Sequence, residues 1–354
     1  MISRPKDHRF RLILLLPAVV ILAGCHHAEP GQNNYNPGQC ILDGECTAGE
    51  SCLSCPADCC EQCDLETITQ TSPRDYLISE IRWPENAAEA HEFGLDLDGD
   101  GRADNKVGYV VALLAERGAL INEFIERRVA SGELLLVLRV WADDLLNDGE
   151  VAVQLLPATV VDATPQFDGQ DEVRIAAGTP VDRYACGTVQ AGLLESDPTV
   201  ESQPLPSPMG RVTNDWMRFH RLRLAGYLGE EQLVDVVVAG GIDEYDRQNV
   251  LFADILALLN EELRTNDDNS TVELLADLFD GRCFSTIPGC ELVVAGEGQC
   301  DDTAEPVTIT STELQCNDMM HAIASPDLDS DGDGVNDLLS GAWRVSAVPV
   351  TIVD

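Results

Sequence analysis

The sequence predicts an α+β fold: a mainly antiparallel β-sheet domain with flanking helices, preceded by a small disulfide-rich module. Three observations predict this fold class. Apolar runs of strand length, bounded by turn residues, recur along most of the chain. Fewer stretches show the spacing of amphipathic helices. Seven cysteines crowd into residues 40–63, a segment too short for an apolar core, so covalent links are expected to replace one.

Residues 1–24 predict an export signal. Basic residues within 1–11 precede an apolar run that is too short to span a membrane. The run ends in Leu-Ala-Gly-Cys at 22–25, which resembles the lipobox of bacterial lipoproteins; an ordinary signal peptide is the alternative. The resemblance implies cleavage before Cys25 and attachment of acyl chains such as palmitate to it, which gives stable membrane anchoring. His26 fits outer-membrane sorting, so we expect a lipid-anchored protein of the outer membrane or cell surface.

Between the anchor and the main domain, residues 25–39 predict a flexible tether and residues 64–75 predict a linker. Twelve cysteines follow Cys25, and export to an oxidising compartment favours their pairing as disulfides. The disulfide candidates are Cys40, Cys46, Cys52, Cys55, Cys59, Cys60, Cys63, Cys186, Cys283, Cys290, Cys300 and Cys316.

The cysteine module, residues 40–63, resembles short cysteine repeats in exported proteins of myxobacteria, through its Gly-Glu-x-Cys and Cys-Pro-x-Asp-Cys segments. Zinc binding through Cys52 and Cys55 is the competing interpretation. The module and the main domain each hold an odd number of cysteines. We therefore expect one disulfide between them, and the expected pairs are Cys60–Cys186, Cys283–Cys290 and Cys300–Cys316.

Residues 76–354 predict the α+β domain itself. Strands are predicted at 76–83, 133–142, 150–161, 171–178, 215–229, 231–241 and 341–353. Helices are predicted at 106–132, 249–265 and 271–281. Pro84 ends the first strand, Gly132 ends the first helix, and the run 133–142 is apolar enough for a strand buried on both faces. The proline-rich stretch 197–212 predicts a loop.

Two aspartate-rich segments, 94–108 and 325–341, share the pattern D-x-D-x-D-G-x-x-D. The pattern resembles the calcium loops of EF-hands, dockerins and thrombospondin type-3 repeats. Calcium takes six to eight oxygen ligands, and closely spaced carboxylates on one loop supply several of them. The predicted ligands are the carboxylates of Asp96, Asp98, Asp100 and Asp104, those of Asp329, Asp331, Asp333 and Asp337, and the main-chain carbonyls of Arg102 and Val335. A turn without metal is the alternative.

Both loops lack the glutamate that closes an EF-hand at position 12, where Val107 and Ser340 stand. Fewer protein ligands weaken binding, and sites on the order of 10⁻⁴–10⁻³ M suffice outside the cell. Because the loops flank the main domain, we expect calcium to act as a structural clamp and not as a sensor. A third, degenerate loop at 302–313 keeps only Asp302 and Glu313 of the pattern, and a helix–loop–helix without metal is favoured there.

The net charge of −40 excludes nucleic acid as a partner. The chain lacks the G-x-S-x-G, H-E-x-x-H and P-loop motifs, His220 lies on a basic strand, and the pair Asp143–Asp144 is expected in a solvated turn. The segments 40–63, 94–108 and 325–350 together resemble exported lipoproteins of myxobacteria, which implies architecture and location but no chemistry.

The sequence therefore favours a calcium-stabilised lipoprotein of the cell envelope, membrane-attached through its lipid anchor, that binds an extracellular or envelope partner or serves a structural role without catalysis. The alternative is an exported hydrolase acting on glycans. Such an enzyme would need two carboxylates about 5–10 Å apart in an aromatic cleft.

Overall fold

The computed structural model describes residues 53, 55–59, 68, 72–115, 121–161, 164–199, 201–207, 216–265, 308–330 and 334–353. The chain forms eleven described strands: β1 Arg74–Arg82, β2 Leu135–Trp141, β3 Asn147–Val160, β4 Glu172–Ile175, β5 Ala185–Gln190, β6 Leu193–Ser196, β7 Gln203–Pro206, β8 Trp216–Tyr227, β9 Leu233–Ile242, β10 Leu339–Pro349 and β11 Thr351–Ile352.

Eight of these strands close into an antiparallel barrel. The order is β3-β2-β1-β10-β9-β8-β6-β5, and β5 pairs back onto the first half of β3 to complete the ring. The second half of β3 pairs instead with β4, which carries β11 as a parallel neighbour. β7 pairs with the first four residues of β8, Trp216 to Phe219. Closure leaves the eight strands without a free sheet edge, the site at which strands of other chains would otherwise pair.

The barrel closes around a continuous apolar interior because side chains alternate along each strand. On β2, Leu136 and Leu138 belong to the interior cluster, whereas Leu135 and Val137 pack in a separate cluster on the outer face. The prediction that this run is buried on both faces is therefore confirmed. At one end of the interior, Trp343 of β10 stacks on Trp83 with ring centroids 5.4 Å apart.

Helices accompany the barrel. They are α1 Pro56–Cys59, α2 Ala87–Phe93, α3 Lys106–Ala115, α4 Ile121–Ser131, α5 Glu244–Asp246, a π-helical turn Arg247–Leu251, α6 Phe252–Thr265, α7 Ser311–Gln315 and α8 Asp318–Ile323. Of these, α3, α4, the π-helical turn, α6, α7 and α8 contribute residues to the same apolar cluster as the barrel interior. Val107 of α3 packs under Gly341 of β10, where a Cβ atom on the glycine would lie 3.3 Å from the valine side chain. Among the described residues, no helix combines the length and apolarity needed to cross a bilayer.

The predicted α+β class with a mainly antiparallel sheet is confirmed, but several elements differ from the sequence prediction. The stretch 197–212 was predicted as a loop and contains β7, whose apolar contacts come from Leu205 beneath the prolines. The strands β5 and β6 and the helix α2 were not predicted, because each is short and mixes polar with apolar residues. The long predicted helix 106–132 contains α3 and α4, which are separate described elements.

Several predictions fall outside the described residues and stay predictions. These are the signal peptide, the acylation of Cys25, the tether, most of the cysteine module and the helix at 271–281. Cys55, Cys59, Cys186 and Cys316 take part in disulfide bonds. Each predicted cysteine pair includes at least one residue outside the described ranges, so the pairings are also still predictions.

Candidate functional site

The two aspartate-rich loops, 233 residues apart in the sequence, lie side by side on the outer wall of the barrel. Leu97 from the first loop and Leu328 and Leu338 from the second share one small apolar cluster, and each is at most 2 % exposed. Residues of β9 and β10, among them Val237 and Ala342, form the base of that cluster. The two loops are thus fixed to the same patch of sheet.

The first loop is closed by its own carboxylates. Asp104 pairs with Leu95 through the main chain, and its Oδ2 atom accepts a hydrogen bond of 2.7 Å from the amide of Leu97. Asp96 accepts from the amides of Gly99 and Gly101, at 2.6 and 3.0 Å. Both glycines have positive φ, a conformation that other residues adopt only with strain. The glycines therefore let the backbone curl around the side chain of Asp96.

Three of the four predicted carboxylates of this loop converge. Asp96, Asp98 and Asp104 each place a carboxylate oxygen within 4.8 Å of the other two. Ligands of a single calcium ion lie at about 2.3–2.6 Å from it and hence at most about 5 Å from one another. The trio therefore fits one hard divalent cation. Asp100 is not part of the trio, and its side chain accepts from the amide of Arg102 at 2.8 Å.

The second loop repeats this closure at equivalent positions. Leu328 pairs with Leu338 through the main chain, and Asp337 accepts from the amide of Ser330 at 2.8 Å. Asp329 accepts from the amide of Gly334 at 2.7 Å, and that glycine also has positive φ. The predicted ligands Asp331 and Asp333 lie outside the described residues. The predicted carbonyl donors Arg102 and Val335 both sit on exposed turns of their loops.

The residues at position 12 have structural roles in place of metal ligation. Val107 is fully buried beneath β10. The hydroxyl of Ser340 accepts from the amide of Lys106 at 2.8 Å and donates to Asp327 at 2.6 Å. Lys106 also donates from Nζ to the hydroxyl of Ser325 at 2.7 Å. The segment after the first loop is therefore joined by side chains to both flanks of the second.

Asn105, directly after the first loop, makes a second connection between the ends of the domain. Its Oδ1 atom accepts from the amides of Gly108 in α3 and Ala342 in β10, at 2.9 and 2.7 Å. Its Nδ2 atom donates to the carbonyl of Ala90 in α2 at 3.0 Å. A Cβ atom at Gly108 would lie 2.3 Å from Nδ2 of Asn105, so this contact requires glycine.

Two arginines of β8 hold the loops from beneath. Arg221 donates from Nη1 to the main-chain carbonyl of Asp329 at 3.0 Å. Arg223 donates from Nη1 to the carbonyl of Asp96 and from Nε to the carbonyl of Ser196, the latter at 2.9 Å. Asp96 and Asp329 occupy position 1 of their loops. Each loop is therefore gripped at the same position by one of two neighbouring arginines.

A β-bulge makes this arrangement possible. The register of β8 against β9 shifts between His220 and Arg223, and Arg221 has a φ of 53°. Such a bulge changes the phase of the side chains along the strand. Without it, Arg221 would follow the alternation of Met217 and Phe219 into the barrel interior. With it, Arg221 and Arg223 both face the loops, and Leu222 takes the interior position.

These arginines were not predicted as part of the site, although the pattern of apolar residues along β8 indicates the bulge that positions them. The apolar residues of β8 fall at 217 and 219 and then at 222 and 224, which is a change from odd to even positions. A regular strand would keep one parity. The break, with two polar residues at His220 and Arg221, is where the bulge occurs.

The electrostatics of the site are dominated by buried acids. The pKa of Asp104 is raised to about 7, chiefly by burial and also by the neighbouring charges of Asp98, Asp327 and Asp100, while the hydrogen bond from the Leu97 amide lowers it. Burial likewise raises the pKa of Asp98 and Asp327. These carboxylates are held in the protein at an electrostatic cost, which a bound cation would offset.

Arg221 is a buried positive charge that faces carboxylates of both loops. It is 5 % exposed, and burial lowers its pKa, while Asp98, Asp329, Asp104 and Asp337 oppose that shift. Its Nε and Nη2 atoms are buried without a hydrogen-bond partner. A buried guanidinium with one hydrogen bond is short of acceptors, so the loops compensate its charge mainly through space.

Three further candidates from the sequence have different surroundings. Glu313, from the degenerate third loop, is fully buried and accepts from the amide of Thr310 at 2.7 Å as part of a capping box for α7. His220 is half-buried on β8, and its Nε2 atom lies 3.3 Å from the carboxylate of Asp243. The pair Asp143–Asp144 lies in the turn between β2 and β3, as predicted.

Comparisons with known protein families, with curated proteins and with solved structures found nothing that matches this chain.

Proposed function

We propose that the chain is a calcium-stabilised, non-catalytic binding protein of the cell envelope, attached to the outer membrane or cell surface by an acylated Cys25. The observation that carries the proposal is the convergence of Asp96, Asp98 and Asp104 within 4.8 Å of one another, beside a second loop of the same design. The lipobox at 22–25 and the tether at 25–39 support the proposed location in the cell envelope. We also propose that residues 40–63 form a disulfide-rich module.

The donor chemistry favours calcium over the other common divalent ions. The converging side chains all offer carboxylate oxygens, which are the ligands that hard cations prefer. The described cluster includes no cysteine sulfur and no histidine imidazole, the ligands typical of softer metals. Magnesium demands a near-ideal octahedron with shorter bonds, which two curled loops without a position-12 carboxylate support poorly. Calcium accepts irregular coordination completed by water and main-chain carbonyls.

The proposed role of calcium is to fasten the barrel where its first and last segments meet. The loops share a patch on β9 and β10, and Lys106, Ser340 and Asn105 connect the segments that follow them. A cation that neutralises the raised-pKa acids would stabilise this junction without taking part in chemistry. The protein's partner is then bound elsewhere on the surface.

The test is a thermal melt of the full chain, kept in detergent, with calcium, with magnesium and with chelator. With sites on the order of 10⁻⁴ M, 10 mM calcium should add about 2.7 kcal/mol per site to the free energy of unfolding. The combined variant Asp96→Ala and Asp329→Ala should lose this gain. A matched control is Asp168→Ala, an acidic residue on an exposed turn remote from the loops.

Three outcomes would count against the proposal. Calcium could leave the melting temperature of the wild-type chain unchanged, the double variant could keep the full calcium response, or magnesium could stabilise as strongly as calcium. The first two outcomes would contradict the proposal that a bound cation stabilises the fold, and the third would contradict the proposal that this cation is calcium. Acylation is tested separately, by mass spectrometry of the N-terminal peptide of the wild-type chain and of Cys25→Ala.

A further inference from the structure

A cavity of about 470 Å³ opens on the barrel surface where β8 begins and β9 ends, outside the cation site. Its lining residues are Trp216, Arg218, Tyr245, Asp246, Asn249 and Val250. Trp216 and Arg218 come from the outward face of β8, and the others come from the helical turns that follow β9. The cavity is therefore built on a strand of the closed barrel and on a capped helix, both rigid supports.

The cavity presents aromatic side chains to solvent. Trp216 is 37 % exposed and Tyr245 is 65 % exposed, whereas the other three tryptophans of the chain are at most 8 % exposed. Large aromatic rings left in water beside a concave surface are typical of ligand-binding sites, since they gain from being covered. The fold buries its remaining tryptophans, so the exposure of Trp216 is not a general property of the chain.

The polar floor of the cavity is organised in advance. Asp246 is 2 % exposed and accepts from the main-chain amide and the Nε atom of Arg218, at 2.7 and 3.0 Å. The Nη2 atom of Arg218 lies 3.1 Å from the carboxylate of Asp243. The guanidinium also lies over the ring of Tyr245, 5.6 Å from its centroid. These contacts fix Arg218 and Tyr245 before any ligand arrives, which lowers the entropic cost of binding.

The charges of the cavity select among ligand classes. Two carboxylates surround one guanidinium, with His220 next to Asp243, so the site offers no net positive charge to an anion. The chain's net charge of −40 adds to that repulsion. A cationic ligand would meet Arg218, which already occupies a face of Tyr245. A neutral ring with many hydroxyl groups suits the site, because its C–H faces cover aromatic rings and its hydroxyls pair with polar side chains.

The same contacts argue against catalysis at this place. Both carboxylates are committed: Asp246 to Arg218, and Asp243 to Arg218 and to the amide of Asp246 at 2.8 Å, where it caps α5. A glycoside hydrolase needs one carboxylate free to act on the leaving group and another free to act on the sugar or on water. Neither aspartate is placed to do so.

We propose that this cavity binds an uncharged saccharide, with Trp216 and Tyr245 as the covering rings and Arg218 and Asn249 as polar contacts. The inference rests on the binding role proposed above and names the class of ligand. It does not depend on the cation loops, because none of the residues that line the cavity belongs to them.

The experiment is saturation-transfer NMR and tryptophan fluorescence on the full chain in a detergent without sugar head groups. The probes are neutral oligosaccharides built from glucose, galactose, mannose and N-acetylglucosamine, with hyaluronan fragments as an anionic comparison. We expect at least one neutral oligosaccharide to bind, with quenching or a shift of the Trp216 emission. Trp216→Ala and Tyr245→Ala should each weaken that binding at least tenfold.

Tyr227→Ala is the matched control, because this tyrosine is 64 % exposed at the other end of β8 and outside the cavity. It should leave saccharide binding unchanged. Tyr245 is mostly exposed, so Tyr245→Ala should keep the wild-type melting temperature, whereas Trp216 is largely covered and its variant is compared at a temperature where its own melt shows the folded state. Asn249→Ala gives a third variant that removes no aromatic packing, although it loses the hydrogen bond to the Tyr245 carbonyl. Absence of binding across the neutral panel, stronger binding of the anionic fragments, or full binding by both aromatic variants would overturn the proposal. A calcium-dependent melt in the same samples separates this failure from failure of the clamp.

Discussion

Arg221 donates a hydrogen bond of 3.0 Å to the main-chain carbonyl of Asp329, and its neighbour Arg223 makes the equivalent contact with the carbonyl of Asp96. Strand β8 thus donates hydrogen bonds to both aspartate-rich loops at position 1 of each loop. These two contacts, together with the shared apolar cluster of Leu97, Leu328 and Leu338, explain how two short loops that are far apart in sequence are held beside each other. The arginine contacts also place a positive charge under a cluster of acids.

Arg221→Met is expected to lower the free energy of unfolding in chelator by about 3 kcal/mol, since removing one partner of a buried charge network leaves the others uncompensated. The same variant should bind calcium more tightly, by about fivefold, because one repelling positive charge is gone. Arg221→Lys is the control, since it keeps the charge and the same strained φ. Calorimetric titration together with chemical denaturation measures both quantities. A loss of stability accompanied by weaker calcium binding would contradict this electrostatic role.

The raised pKa of Asp104 predicts how stability depends on pH. In chelator, the folded chain keeps a proton on Asp104 up to about pH 7, whereas the unfolded chain releases it near the ordinary value of 3.8. Linkage then requires that stability falls as pH rises between those values and levels off above pH 7. For a half-buried carboxyl we expect a loss of about 1–2 kcal/mol after allowing for solvent screening.

Asp104→Asn should flatten this part of the pH profile in chelator and leave the protein more stable than wild type at pH 8. With saturating calcium the order should reverse, because the ion binds the ionised carboxylate and its binding releases a proton. Urea denaturation at pH 5, 6, 7 and 8, with and without calcium, gives the four curves required. Parallel profiles for wild type and variant in chelator would show that Asp104 titrates normally.

Ser340→Ala should destabilise the barrel by about 1–3 kcal/mol, with or without calcium, because it leaves the amide of Lys106 and a carboxylate oxygen of Asp327 without their hydrogen bonds. Ser346→Ala, on the same strand, removes only a long contact of 3.3 Å to Glu80 and should change stability by less than about 0.5 kcal/mol. Equal effects of the two substitutions in denaturant melts would refute the structural role given to position 12.

Asn105→Ala should cost about 2–4 kcal/mol, because three main-chain groups in α2, α3 and β10 lose their partner at one buried point. Asn105→Asp keeps the acceptor for the two amides and loses only the donor to Ala90. It should therefore be less damaging at low pH, where the new carboxyl group is protonated, than near neutral pH, where it adds a buried charge beside Asp104. Hydrogen exchange of the Gly108 and Ala342 amides reports the difference, and protection of both amides in the alanine variant would speak against the assignment.

Much of the fold followed from residue patterns, because strand and helix spacing are local properties. The run 133–142 shows this well: its mostly apolar sequence predicted a strand buried on both faces, and the structure places Leu136 inside the barrel and Leu135 outside it. The closure of the barrel was not predictable in the same way. It depends on the pairing of β5 with β3, a contact between strands whose own sequences are short and mixed.

The candidate site likewise contains residues that local sequence spacing predicted and residues that only the fold brings together. The aspartates were found from their spacing, since calcium loops are built from consecutive residues. Their neighbours were not, because Arg221 and Arg223 reach the loops through a bulge in a strand more than 100 residues away from either. Position 12 is instructive as well: the sequence indicated that Ser340 could not complete a calcium clamp, and only the fold revealed that it binds Lys106.

The two ends of the barrel carry different features. Arg74, where β1 begins, pairs with Val140 and lies at the same end as Pro349, whereas the aspartate loops and the aromatic cavity lie toward the opposite end, beside Leu339 and Ile242. A strand the length of β1, nine residues, extends about 30 Å. A segment that enters the domain at Arg74 therefore joins it at the end of the barrel opposite to the one that carries Trp216 and Tyr245.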